Sequence, residues 1–537
     1  MSRESSNGAR NTVAVDYLSP LPPVHSGIAD YSRDLLPHLE ARCDLRVLRL
    51  SGQPVDEEIV TRFKPQPAVR AGEDGRTPLY HLGNNPFHEQ VFALARERPG
   101  VALLHDLNLH HLLLSRTMRY GDLDGYRKQL AADHGWVGEA VAPFVRWGRP
   151  SVAAIFALAA NRSILRHQRG VLVHSRWAAA QLEEEEGLAV RWVPMGIPLP
   201  TPPSAEKVDR YRESLALGRD VALIGSFGFQ TPIKRIDRVI AALARPELSK
   251  AHLLLVGEAA TELDLRAMAR DAGVRDRVHI TGFVPFEELE TAIAACDVCV
   301  NLRYPTAGET SASLLRILAL GRPAVVSDYA QFRDLPDDIA IKIPLGDGEI
   351  DAIGDRVSRL LARPDVVRAM GERARAYVAR EHSPERAAEA IVMALEAMRA
   401  LNPPPESVPL APTPTSLTAS SLPFTVELDA GPSPWPAGAR RLVHLSITNR
   451  SRVRWLPAGT GPGGIAISLR LLVDERDLRQ GWPWLPLLRA IEPGETYRIE
   501  LELRKGLRPG RLEVGLETLG PPQAVKRWKN SCVSLLP

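Results

Sequence analysis

Residues 297–328 read "DVCVNLRYPTAGETSASLLRILALGRPAVVSD": a short apolar strand, a loop bearing Gly308, a helical stretch and a second apolar strand. A strand, a crossover helix and another strand make the unit of a parallel sheet. The same grammar recurs upstream. Short apolar strand candidates lie at 12–18, 45–50, 101–106, 170–175, 221–228, 251–257, 278–283, 297–302 and 323–328, with helical patterns between them. Nine are too many for one doubly wound sheet, and the Pro-rich stretch "PMGIPLPTPPSAEK" (194–207) separates them into two groups. The expectation is an α/β architecture: two Rossmann-like doubly wound domains, over 12–195 and 208–400, facing each other across a cleft.

The pattern then changes. Residues 402–423, "NPPPESVPLAPTPTSLTASSLP", lose apolar periodicity and are rich in Pro, Ser and Thr, which marks a semi-rigid linker. Over 424–537 the period becomes two. "LVHLSITN" sets Val443, Leu445 and Ile447 on one face, and "YRIELELR" does the same with Tyr497, Ile499, Leu501 and Leu503. Pro493-Gly494 and Pro509-Gly510 punctuate the strands, so a small antiparallel all-β sandwich is expected there.

A chain of 537 residues exceeds one core and suggests about three domains at ~150 residues each. With 45% apolar and 24% charged residues the composition is that of a soluble globular protein. A net charge of +3 is too small to argue for nucleic acid. Four cysteines form no disulfide framework, the N-terminus lacks the apolar core of a signal peptide, and the longest apolar run, "SVAAIFALAA", stops at Asn161 and Arg162. A cytoplasmic location follows, with the inner membrane face as a variant of it.

Ligands of doubly wound sheets sit at the carboxyl ends of the strands, where loops enter helix N-termini. In the first domain those loops offer Ser26-Gly27, Asn84 and Asn85, His105-Asp106, and His174-Ser175. Imidazoles and paired amides suit a polyhydroxyl substrate, which needs both donors and acceptors. In the second domain "GSFGFQTPIKR" (225–235) couples Gly228, which permits close backbone approach, to the cation of Lys234. It is neither G-x-G-x-x-G nor a Walker A sequence. At 308–311, Gly308 loosens the loop, Glu309 is an exposed acceptor, and Thr310 and Ser311 stand near a helix start. Phosphate donors beside a carboxylate for sugar hydroxyls say more than either alone.

These motifs, with "PLPPVHSGIADYS", "HLGNNPFH", "LLHD", "VHSRW", "VPMGIP" and "ITGFVPFEEL" in that order over about 12–400, resemble the retaining glycosyltransferases of family 4, which have the GT-B fold. The resemblance implies that the second domain binds a nucleotide sugar as co-substrate, that the first receives the acceptor, and that no metal ion or other cofactor takes part. Lys234 resembles the lysine stabilising the leaving diphosphate, and Glu309 the glutamate positioning the donor sugar, with Thr310 and Ser311 near sugar and phosphates. Phe283 and Val284 stand where the nucleotide base is received. Gly27 resembles the turn glycine approaching the diphosphate, His105 the histidine near the transferred sugar, and Asp30 faces the acceptor. Asn84, Asn85 and Asp106 join the acceptor side. Two departures accompany the match. The family's second signature glutamate is absent, Arg316 or Ile317 standing in its place, and Phe229 replaces the arginine that usually follows the turn glycine; Arg235 or Arg303 would supply the missing charge.

Cys296 and Cys299 have the spacing of half a zinc knuckle, but no second pair exists and a strand would point them to opposite faces, so buried thiols are expected. Residues 141–170 carry five arginines, no acid, and Phe144, Trp147 and Phe156. They read either as helices with an apolar side in the core or as a face for anionic lipid. The C-terminal tryptophans Trp435, Trp455, Trp482, Trp484 and Trp528 are either core or a stacking platform for sugars, and "SITNRSRVRW" resembles immunoglobulin-like accessory domains. The expected function is retaining transfer of a hexosyl group, with GDP-mannose a first guess, to a hydroxyl of a growing cell-surface polysaccharide or glycolipid. A GT-B epimerase or phosphorylase, or a non-catalytic glycan-binding scaffold, are the alternatives.

Overall fold

The computed structural model describes residues 12–142, 145, 152–183, 187–261, 263–346, 348–403, 422–429 and, beyond these, the strands given below with short stretches beside them. Those residues fall into two compact units, one within Met1–Gly83, Phe87–Leu107 and Ile164–Val408, the other within Asn84–Pro86, Asn108–Ser163 and Pro409–Pro537.

The first unit holds both expected parallel sheets. Its leading sheet consists of β1 (Ala14–Leu18), β2 (Asp44–Arg49), β3 (Gln66–Pro67), β4 (Thr77–Leu82), β5 (Val101–Leu104), β6 (Gly170–Val173) and β7 (Val190–Trp192), ordered β3-β2-β1-β4-β5-β6-β7. The second consists of β8 (Leu223–Phe227), β9 (His252–Val256), β10 (Val278–Gly282), β11 (Val298–Asn301), β12 (Ala324–Ser327) and β13 (Ala340–Ile343), ordered β10-β9-β8-β11-β12-β13. All nine expected strands of this half are present. Central ones such as β5, β6, β11 and β12 are buried throughout, which is why they read as continuous apolar runs rather than alternations. Each fully buried Val or Leu there stabilises the sheet by about 1.5–3 kcal/mol relative to exposure.

The sequence reading passed over β4. Its "TPLYHL" contains Pro78, which ordinarily demotes a run from a central strand. In the structure the proline pairs alongside Asp16 of β1, and all six residues are buried.

The two sheet regions of this unit are joined by more than the chain. Ile197 N–H donates to His382 O at 2.7 Å, and His382 Nδ1 lies 3.1 Å from Met195 O. The Pro384–Met398 helix then returns to pack on the Gly27–Glu40 helix of the first sheet region. Cys296 and Cys299 are buried, as expected, but they do not face apart. Cys296 caps the Phe286–Ala295 helix, Cys299 lies inside β11, and the two thiols touch.

In the second unit, Phe424–Asp429, Arg440–Asn449 and Thr496–Arg504 form an antiparallel sheet. Ile465–Val473, Gly510–Thr518 and Arg527–Leu535 form another, with the short strands Arg476–Asp477 and Leu485–Pro486 beside Ile465–Val473. Phe424, Val443, Leu445 and Ile447 of the first share one apolar cluster with Ile465, Ile467, Val514 and Leu516 of the second. Trp455 is fully buried in it, donating Nε1–H to Ser451 Oγ at 3.1 Å, and is a core residue rather than a platform. The chain segment between Asn108 and Ser163 belongs here too. Leu113, Tyr126, Leu130, Ala142, Val145, Leu158 and Ala160 cluster with Ala466 of the β region, so Ala142, Val145, Leu158 and Ala160 of the 141–170 stretch sit in a core, while Phe156 is half-buried with its ring edge-on to His111. Phe144, Trp147, Trp435, Trp482 and Trp484, and the linker residues 404–421, lie outside the described residues.

Candidate active site

The site residues of the second sheet region come from two neighbouring strand ends, those of β8 and β11. Beyond β8 the backbone turns at Gly228 (φ +85°), and a short 3-10 turn at Pro232–Lys234 sends the lysine back toward the sheet. Lys234 is 5% exposed, and its Nζ donates to Phe227 O at 2.5 Å. A Cβ built on Gly228 would stand 3.0 Å from Ser313 Oγ and 3.2 Å from Lys234 Nζ. Here glycine is required twice over, by the left-handed backbone and by the convergence of lysine and serine on its α-carbon. Burial drives the Lys234 pKa well below its ordinary value; neighbouring Arg303 pushes the same way, and Glu309 opposes them.

Beyond β11 the loop runs through Arg303, Thr306, Gly308 and Glu309 into the Ala312–Ala319 helix. Ser311 caps that helix, its Oγ accepting from Leu314 N–H at 3.3 Å. Thr310 precedes it, half-buried. The first amides of the helix lack intrahelical partners and, with the Lys234 amine, form a corner of N–H donors suited to an anion. Glu309 is not the exposed acceptor that the sequence suggested. Its Oε1 accepts from Arg303 Nε at 3.1 Å, and its Oε2 accepts from Thr306 Oγ1 at 2.8 Å and Ala307 N–H at 3.0 Å. Nor does Gly308 merely loosen the loop. It has φ +78°, and a Cβ there would come 2.5 Å from Leu107 Cβ, in the loop after β5 of the first sheet. Trp177 N–H, at the start of the Arg176–Glu183 helix, donates to Asp334 Oδ2 at 2.9 Å, a further bond between the two sheet regions.

In the first sheet region, His105 follows β5 and is buried. Its Nε2 lies 3.0 Å from His81 Nδ1, and its ring meets His174 (centroids 5.1 Å) and Tyr31 (5.1 Å, edge-on). The adjacent strand ends of β4, β5 and β6 thus bring three imidazoles together under the Tyr31 ring. Burial holds all three neutral: His81 and His105 well below the ordinary value near 6.5, and His174 at about 4. His81 and Tyr31 are functional candidates that sequence reasoning missed, the former because its strand went unread.

The structure gathers Gly228, Lys234, Arg303, Glu309, Thr310 and Ser311 on one sheet edge, while other expected residues stand apart. Arg235 is bound to the buried carboxylate of Glu349, leaving Arg303 as the cation felt by Lys234. Phe283 is 68% exposed and Val284 half-buried, on the loop after β10. Gly27 opens the Gly27–Glu40 helix with nothing within 4 Å of a Cβ built on it. Asp30 makes a 2.6 Å ion pair with Arg33 one turn along. Asn84 accepts from Leu112 N–H at 3.0 Å and lies 3.1 Å from His111; with Asn85 it falls in the second compact unit. Asp106 follows His105, half-buried. Arg316 lies 4.2 Å over the ring of Phe286, with Asp34, Asp30 and Glu290 as the acids opposing the effect of its burial. Among the described residues no group of three or more His, Cys, Asp or Glu is arranged to hold a metal ion, and no helix is long and apolar enough to cross a membrane.

Residues 218–363, which hold β8–β13 and both the Lys234 and Glu309 loops, match the family model described as "Glycosyl transferases group 1". A curated relative, 2-deoxystreptamine glucosyltransferase of Streptomyces kanamyceticus, is 24% identical over 239 residues, 43% of this chain; the chain spans 61% of that relative's length. Among solved structures, sucrose-phosphate synthase from Thermosynechococcus elongatus superposes with a TM-score of 0.52 at 19% identity, covering 72% of this chain and 99% of that one. Anabaena HepE, in complex with UDP and glucose, gives 0.50 at 13% identity, covering 72% and 100%. The parallel-sheet part of the chain therefore has the GT-B fold, and its second sheet region is similar to the group 1 glycosyl transferases.

Proposed function

We propose that the protein is a retaining glycosyltransferase, moving a sugar from a nucleotide-sugar donor to an acceptor hydroxyl. The observation that carries this reading is the pairing of a buried lysine and a held carboxylate at one sheet edge: Lys234 at Gly228, and Glu309 three residues before the first turn of a capped helix. A diphosphate fits the first group, where Lys234, Arg303 and the Ala312–Ala319 amides stabilise the charge that develops on the leaving group. A carboxylate with three protein donors already in place has lone pairs left for one further donor, which suits a sugar hydroxyl. His105 adds a neutral imidazole on the acceptor side. No step in this scheme calls for a metal ion.

Two relatives bear on the donor. The curated relative is a glucosyltransferase, and HepE was solved with UDP and glucose. UDP-glucose therefore stands beside GDP-mannose as the first donor to try. A growing surface polysaccharide or glycolipid on the cytoplasmic side is the acceptor class we favour. The β region from 422 onward is assigned an immunoglobulin-like accessory role without chemistry. The experiment is a thermal-shift screen of UDP- and GDP-hexoses followed by product analysis. One donor that stabilises the protein and gives a glycoside of unchanged anomeric configuration supports the reading; an epimerised donor without acceptor, or no stabilisation by any, overturns it.

A further inference from the structure

Glu309 is held by a chain of hydrogen bonds whose direction can be worked out. Thr306 Oγ1 accepts from Gly308 N–H at 3.0 Å and from Gln331 Nε2 at 2.9 Å, and these two donors fill both of its lone pairs. Its single proton must therefore point to its third neighbour, Glu309 Oε2, at 2.8 Å. The same Gln331 Nε2 donates to Glu309 O at 2.8 Å. Turning the amide over would set Oε1 against a hydroxyl oxygen that already donates elsewhere and against a carbonyl, so the amide has one workable orientation. In that orientation Oε1 is buried with no partner among the described residues. Gln331 itself is 6% exposed and follows Ala330, a non-glycine residue at φ +48°, a strained backbone conformation that persists only when its surroundings hold it.

We propose that Gln331, on the turn after β12, is a positioning residue: by donating to both Thr306 and the Glu309 carbonyl it fixes the Thr306 proton on the Glu309 carboxylate and so sets the angle at which that carboxylate meets the donor sugar. The inference rests on the role given to Glu309 above and extends it to a residue on a different strand end. The charged groups around the network are Arg303 and Glu309 in the loop, Lys234 beyond Arg303, and on the turn itself Asp334, which accepts the Trp177 amide, and Arg333, paired with Asp328 at the surface.

Gln331→Glu and Gln331→Met separate this role from simple packing. In Gln331→Glu the introduced carboxyl, when ionised, has only acceptors to offer. The Thr306 proton turns toward it and leaves Glu309, and kcat falls roughly a hundredfold, the scale of a misplaced catalytic contact. When protonated it recovers one donor, so the ratio of variant to wild-type kcat rises as pH falls from 8 to 5.5. Gln331→Met keeps the volume but has no donor at any pH, so its ratio stays low and flat. The expected result is this contrast in pH profile, with KM for the donor changed less than kcat. Parallel, pH-independent losses in both variants, or a Gln331→Met enzyme with wild-type kcat, would overturn the proposal. Crystal structures of Gln331→Glu at pH 8 and pH 5.5 read the same point without turnover. The Glu309 carboxylate is expected to leave Thr306 at pH 8 and return at pH 5.5, and an unmoved carboxylate overturns the inference. A wild-type protein that turns over no nucleotide sugar would sink the glycosyltransferase reading instead, and the crystallographic comparison would still decide the role of Gln331.

Discussion

Leu107 and Gly308 meet where the loop after β5 of one parallel sheet reaches the loop after β11 of the other, and a Cβ at position 308 would stand 2.5 Å from that of Leu107. The contact links the loop that carries His105 to the loop that carries Glu309, so the spacing of the two candidate groups depends on a residue without a side chain.

Gly308→Ala should therefore be costly for two reasons. The left-handed backbone strains any L side chain, and the new methyl collides with Leu107. A loss of about 1–3 kcal/mol in stability is expected, with turnover reduced further than donor affinity. Pairing it with Leu107→Gly removes the collision but not the strain. Partial recovery of turnover in the double variant, followed by steady-state kinetics, checks the argument, and no recovery would place the whole effect in the backbone.

The imidazole cluster makes an acid-side prediction. His88 and His174 are depressed to about 4, and His81 and His105 lie well below the ordinary value, all chiefly through burial. Between about pH 6.5 and 4 the unfolded chain binds protons that the native state refuses, so stability falls as pH falls, by up to about 1.4 kcal/mol per pH unit for each such histidine. Chemical denaturation at pH 7, 6 and 5 should show this steep loss. His174→Asn should flatten it, even though the variant is less stable at pH 7.

Lys234 gives a prediction of opposite sign in the bound state. Burial and Arg303 favour its neutral form in the free protein, and a diphosphate beside it would favour the charged form. Donor binding should then take up a proton. Calorimetry in buffers of different ionisation enthalpy measures that uptake, which should vanish in Lys234→Met.

How much of this was legible beforehand varies by element. The parallel strands announced themselves because strands buried on both faces must be continuously apolar, as in "VALL" and "AVVS". Pro78 hid β4, and with it His81. Lys234 and Glu309 stand out as candidates in the sequence because a lysine after a glycine turn and a carboxylate before a helix start carry chemistry by type and place. What surrounds them was not readable. That Glu309 is held by Arg303 and Thr306, that Thr306 is in turn held by Gln331, and that Arg235 is drawn to Glu349 are matters of three-dimensional partnership between separate strand ends. No spacing rule contains them.

The second compact unit has its own test. Ala466, 1% exposed on Ile465–Val473, packs with Leu113, Tyr126, Leu130 and Leu158. Ala466→Glu buries an unpaired charge at a cost of several kcal/mol. Hydrogen exchange should rise in the 113–160 helices as well as in the β region; a rise confined to the β region would mean that the two do not share a core.

The central claim is that Lys234 and Glu309 act together on a nucleotide sugar, and single-turnover transfer from the donor found by screening tests it most directly. Lys234→Ala and Glu309→Gln should each bind that donor yet lower the transfer rate by roughly a hundredfold or more, the loss of one transition-state contact. Transfer at near wild-type rates in both variants would contradict the account.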